Sequence, residues 1–158
     1  MPLPTYLKHI GLLVLLGTGL FVAWEKVGLL AAPVRRTSLL ANTSWRWVSW
    51  TEKTGRQASK ERILPCMQDD VIRFEQADEQ HRYFESSGSL NCGRQESHNL
   101  QGQWQVSNDG QTLTITGGNT TFENNWQIQE LTASRVKLAY RTTTSQGPFI
   151  MIVTFLKR

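Results

Sequence analysis

At 158 residues the chain is long enough for one domain with a buried core and too short for two. Its net charge of +4 and pI of 9.3 raise the question of nucleic acid until the charge is located. Lys8, Lys26, Arg35 and Arg36, against Glu25 alone, place most of the surplus in the first 37 residues. The rest is close to neutral with its charges dispersed, so the basic stripe of a nucleic-acid binder is missing and that partner class is excluded.

The first predicted element is an apolar helix. Ile10 to Trp24 (IGLLVLLGTGLFVAW) runs 15 residues without a charge, and after Glu25-Lys26 the apolar character resumes through Ala32. Ile10 to Ala32 is 23 residues, about 34 Å as helix, which spans a bilayer with some tilt. Residues 1–37 are therefore expected to form a membrane anchor (span 10–32) and linker, and residues 38–158 the folded domain. Trp24 suits the interface, and Glu25 and Lys26 reach toward headgroups. The alternative is a signal peptide cleaved after Ala32, a cut that Pro33 disfavours. No cysteine precedes Cys66, which excludes a bacterial lipoprotein anchor.

From residue 45 onward the period is two. In WRWVSW, strict alternation puts Trp45 and Trp47 on one face and Val48 and Trp50 on the other. Residues 51–65 are polar and are expected to form a long first loop with at most one helical turn. DVIRF and RYFE follow as strands, with Phe74 in the first. QWQVS then sets Trp104 and Val106 against glutamines, TLTIT sets Leu113 and Ile115 against threonines, and NWQIQ offers Trp126 and Ile128. RVKLAYR turns Val136, Leu138 and Tyr140 one way and its cations the other. FIMIVTFLK closes the chain, apolar on both faces. Between these runs, SSGS, NDG, GGN and QGP are turn chemistry. Eight short strands in sequence predict an all-β, eight-stranded antiparallel up-and-down barrel, since closure removes exposed edges. One N-terminal transmembrane helix precedes it.

Cys66 and Cys92 are the only cysteines, 26 positions apart. Neither lies at a metal-ligand spacing with His81 or His98, and no residue is placed to activate a thiol nucleophile. Two buried thiols in a cytosolic protein remain one reading. A disulfide behind a membrane-targeting segment is the coherent one, and it sets the domain outside the cytoplasm, on the periplasmic side of the anchor. Asp69 and Asp70 would point to opposite faces of a strand, so they do not make an acid–base pair. They are expected to start the strand or cap a turn. Neither a metal site nor a cofactor is expected, and no catalytic residue.

The order LLANTSWRW, CMQDDVIRFEQADEQHRYFESSGSLNC, GQWQVSNDGQTLTI, IQELTASRVKLAYR resembles the lipocalin-like domain of small bacterial envelope proteins. The residues that carry the resemblance are Trp45; Cys66, Asp69, Asp70 and Phe74; Cys92; Gly102 and Trp104; and Ile128, Leu131, Thr132 and Leu138. It covers residues 39–157. It implies a β-barrel without catalysis, and Trp45 packed at the closed end. Thr43 stands where lipocalins often carry glycine, so the first turn is expected to differ.

Trp45, Trp47, Phe74, Trp104, Trp126 and Tyr140 are thus assigned to the barrel interior, where they either fill it or line a calyx for an apolar ligand; an eight-stranded barrel allows both. Filling is the expectation for strands of five to seven residues. Val48 and Trp50 are expected to face outward and meet loop 51–65, the membrane surface or another protein. Two functions follow. One is a non-enzymatic, membrane-anchored accessory or scaffolding subunit, with membrane lipid and other membrane-protein subunits as partners. The other is a carrier or sensor of a small apolar molecule or lipid in the barrel mouth. Inhibition of an envelope enzyme fits the fold but has no residue behind it.

Overall fold

The computed structural model describes residues 32–90, 92, 99–117 and 122–158. Apart from Ala32, the predicted span over 10–32 lies outside these residues, as does His98. Among the described residues no helix is long and apolar enough to cross a membrane.

A short helix α1 (Ala32–Leu40) leads into nine strands: β1 (Thr43–Thr54), β2 (Lys60–Glu61), β3 (Val71–Ala77), β4 (Gln80–Ser86), β5 (Asn99–Val106), β6 (Thr112–Thr116), β7 (Asn124–Leu131), β8 (Arg135–Thr144) and β9 (Gly147–Lys157). From β3 onward each strand pairs antiparallel with the next, β3 also pairs with the first part of β1, and β9 returns to β1. The result is the expected closed eight-stranded up-and-down barrel, with two-residue β2 laid on the far half of β1. The predicted long loop is shorter than expected, because β1 runs to Thr54 and is followed by β2 and a 3-10 turn at Pro65–Met67.

Alternation gives no hint of α1, whose polar and apolar residues follow no period of two. Its Leu40 is fully buried, and Arg36 Nη1 donates to the Gly110 carbonyl at 2.7 Å. The helix therefore lies over the end of the barrel that carries the β5–β6 turn. The chain then swings into β1 at Asn42, whose φ of 56° is the left-handed conformation asparagine tolerates. Asn42 also prolongs the β1–β3 ladder by side chain, accepting from the Gln76 N–H at 3.1 Å and donating to its carbonyl at 3.3 Å. With the turn made at 42, Thr43 is an ordinary strand residue, and no glycine is needed there.

Strand lengths are uneven, which the expectation of five to seven residues did not anticipate. β1, β8 and β9 have 12, 10 and 11 residues, against five in β6. The β1–β9 ladder reaches Thr54↔Phe149 and the β8–β9 ladder Thr144↔Gly147. At the end opposite α1, one side of the barrel therefore stands taller than the other.

The β1–β9 register shifts between Trp47, opposite Phe155, and Ser49, opposite Thr154. Val48 is the extra residue of a β-bulge, and beyond it the alternation is reset. Trp50 falls opposite Val153, on the inner side. Glu61 supports the distorted strand, accepting from the Trp50 N–H at 2.8 Å and the Ser49 hydroxyl at 2.9 Å.

Cys66 and Cys92 form the disulfide, with their Cα atoms 5.3 Å apart. It ties the segment before β3 to the segment after β4, at the taller end. The acidic pair works in the same place. Asp69 Oδ2 accepts from the N–H of Ser89 (2.6 Å), the N–H of Leu90 (3.0 Å) and the Ser89 hydroxyl (3.0 Å), and Asp70 Oδ1 accepts from the Gly88 N–H at 2.8 Å. These carboxylates hold a loop. Replacing both cysteines by serine is expected to lower the unfolding free energy by about 3.5 kcal/mol on the chain-entropy model, measured by denaturant titration.

Among the described residues, three carboxyls sit below their ordinary range. For Asp69 the Leu90 N–H is the leading cause, outweighing burial, with Ser89 adding to it. For Asp109 the Ser107 hydroxyl leads, then the Gln111 N–H, with the Arg36 charge adding to them against burial. For Glu61 burial would raise the value, but hydrogen bonds from Trp50, Ile63, Ser49 and Arg62 together outweigh it. Each is lowered on folding, so its stabilisation is full above the unfolded values of 3.8 for aspartate and 4.5 for glutamate and is lost as pH falls through the folded values. The melting temperature is expected to fall as pH drops below that range, and Asp69→Asn should flatten the fall.

Candidate functional site

The interior is built of rings. Trp45, Phe74, Tyr83, Trp126 and Phe155 are fully buried, and Trp47, Trp104 and Phe122 are nearly so. Near α1, Phe74 meets Trp104 edge to face at 5.5 Å, and the Trp104 N–H donates to the Glu75 carbonyl at 3.0 Å. In the middle stands Phe122, a residue of the β6–β7 connection that periodicity had no means to find. Its ring lies 4.6 Å from Trp47, 5.6 Å from Trp126 and 5.9 Å from Phe155. Its carbonyl accepts the Trp126 indole N–H at 2.9 Å. The barrel is plugged at mid-height by an aromatic ring from a loop.

Above the plug the packing loosens. Trp50, Tyr140 and Phe149 are half-buried and rest against the core from the tall wall of β1, β8 and β9. Trp50 stacks on Trp47 with centroids 5.6 Å apart, and Tyr140 lies 6.1 Å from Trp126 and 6.5 Å from Phe149. The three rings form an aromatic rim, or bowl, on the inner face of the tall wall, a face shared by Glu52, whose carboxylate pairs with Arg62 at 2.8 Å. Among the described residues, the indole nitrogens of both Trp45 and Trp50 are shielded from solvent and without a hydrogen-bond partner.

The structure brings together five of the six rings assigned to the interior, while Tyr140 sits at the rim. It separates the two residues assigned to the outer face. Val48, at the bulge, is 37% exposed, whereas Trp50 is turned inward onto Trp47. Strict alternation fails because the bulge inserts one residue, so Val48 and Trp50 do not form a contact surface. Tyr83, Phe155 and Phe149 complete the interior; parity within RYFE and FIMIVTFLK is the signal that would have found them. Among the described residues, no group of three or more His, Cys, Asp or Glu side chains is placed to hold a metal ion.

A family model described as a lipocalin-like domain matches residues 42–138. No curated protein matches the sequence. Among solved structures, the chain is similar to lobster apocrustacyanin A1, at 15% identity and a TM-score of 0.52, over 83% of this chain and 67% of that one. It also matches bovine odorant binding protein, solved with a selenium-containing odorant, at 15% identity and a TM-score of 0.40, over 77% of this chain and 72% of the other.

Proposed function

The chain belongs to the lipocalin-like domain family, and on that premise we propose that it is a non-catalytic binding protein for one small, flat, largely apolar molecule, held in the bowl above Phe122. The observation that carries this is the cluster of half-buried Trp50, Tyr140 and Phe149 over a closed aromatic floor. Pockets of this kind are apolar with a few placed polar groups. The placed polar groups are Glu52, on the same face as Trp50, and Arg62, paired to Glu52 at 2.8 Å. Because Phe122 closes the barrel at mid-height, the site takes a ring system and not an extended acyl chain. The disulfide supports an oxidising location outside the cytoplasm. The accessory-subunit expectation drew on a retained anchor, which apart from Ala32 lies outside the described residues, and on a filled lumen.

The test is titration with an apolar fluorophore, N-phenyl-1-naphthylamine, read as emission enhancement. Wild type is expected to show saturable uptake. Trp50→Ala should weaken it at least tenfold while lowering the melting temperature less than Trp126→Ala does, because a half-buried ring at the rim contributes less to stability than a core ring. Absence of saturable uptake by wild type would overturn the proposal.

A further inference from the structure

The barrel wall parts between β4 and β5. The β4–β5 ladder stops at Arg82↔Gln103, yet β4 stays paired to β3 as far as Gln80↔Ala77, and β5 stays paired to β6 as far as Val106↔Leu113. Toward the α1 end, Gln80–His81 and Trp104–Val106 therefore face each other with no ladder between them. A cleft of about 670 Å³ opens there, outside the bowl and at the opposite end of the barrel.

Its floor is the half-buried His81 ring, backed by the nearly buried Trp104. His81 stacks on Trp104 at 4.6 Å with the rings 26° apart, and Trp104 is fixed by its hydrogen bond to Glu75. The walls are polar. Gln103 and Gln105 have side-chain amides with no partner among the described residues, and Thr114 and Thr116 line the β6 side. The Arg82 guanidinium is braced by Gln80 Oε1 at 2.6 and 3.2 Å, which leaves its other N–H groups for a ligand. Apart from His81, the ionisable groups are Arg82 and Glu79, one of each sign. A phosphate would require an excess of cations. An apolar molecule would leave the amides unpaired. A carboxamide presents a donor and an acceptor side by side, which matches two neighbouring hydroxyls, and a flat ring stack matches the C–H face of a sugar.

We propose that this cleft is a second binding site, for a neutral sugar ring, either a free oligosaccharide or the end of a surface glycan. The full chain, kept in a detergent without a sugar headgroup, is titrated with maltotriose, cellotriose and tri-N-acetylchitotriose. The readout is the NMR shifts of the Gln103 and Gln105 amides and the Trp104 indole. At least one trisaccharide is expected to give saturable shifts with a dissociation constant on the order of 1 mM. Gln103→Ala and Gln105→Ala should each weaken binding about tenfold with the melting temperature unchanged, since both side chains are on the surface. Retention on beads of the matching polymer together with the shifts identifies a glycan end, and shifts without retention identify a free oligosaccharide; both support the site. No shift with any of the three, shifts indifferent to both substitutions, or stronger shifts from inorganic phosphate would overturn it. None of these results bears on fluorophore uptake in the bowl.

Discussion

Trp126→Ala is expected to lower the unfolding free energy by about 3–5 kcal/mol, a large share of the roughly 5–15 kcal/mol that holds a domain together. Trp126 is fully buried, packs on Phe122 at 5.6 Å and reaches Tyr140 at 6.1 Å. Its indole N–H also satisfies the Phe122 carbonyl. Truncation removes the buried ring, leaves a cavity that the two flanking strands cannot close, and orphans that carbonyl. Chemical denaturation of the variant beside wild type checks it. A loss below about 1 kcal/mol would mean that the ring borders open space instead of filling the core.

Phe122→Ala is expected to cost a similar amount, about 3–5 kcal/mol, and to do something Trp126→Ala does not. The backbone carbonyl that accepts the Trp126 N–H stays in place, so the change is confined to the ring. What is left is an apolar void bounded by Trp47, Tyr83, Trp126 and Phe155. A void of that lining stays dry and takes up small aromatic molecules. Benzene should therefore raise the melting temperature of Phe122→Ala in a concentration-dependent way and by more than it raises that of wild type. Equal stabilisation of both would show that removing the ring opens no new site.

The barrel was legible in the sequence because its information is local. Alternation in QWQVS, TLTIT, NWQIQ and RVKLAYR matches β5 to β8, and turn residues such as Asn108 to Gly110 fall where the chain reverses. The interior positions of Trp45, Trp47, Trp104 and Trp126 follow from parity alone. Three features were hidden, each for a different physical reason. The bulge at Val48 is a defect in pairing with a strand about a hundred residues away, so nothing near WRWVSW announces that Trp50 turns inward. Phe122 belongs to a connection, where no period assigns a side chain to a face, and it is buried among Trp47, Tyr83, Trp126 and Phe155. The seam beside His81 depends on β3 and β6 each holding their neighbour while β4 and β5 separate, a property of three ladders at once.

The most direct measurement is of intermolecular NOEs between bound N-phenyl-1-naphthylamine and the aromatic protons of the wild-type protein. Contacts to Trp50, Tyr140 and Phe149, with none to Phe74 or Trp104, are the expected result, since Phe122 separates the bowl from the lower barrel. Contacts to Phe74 or Trp104 would place the probe below the plug and contradict a bowl closed at Phe122.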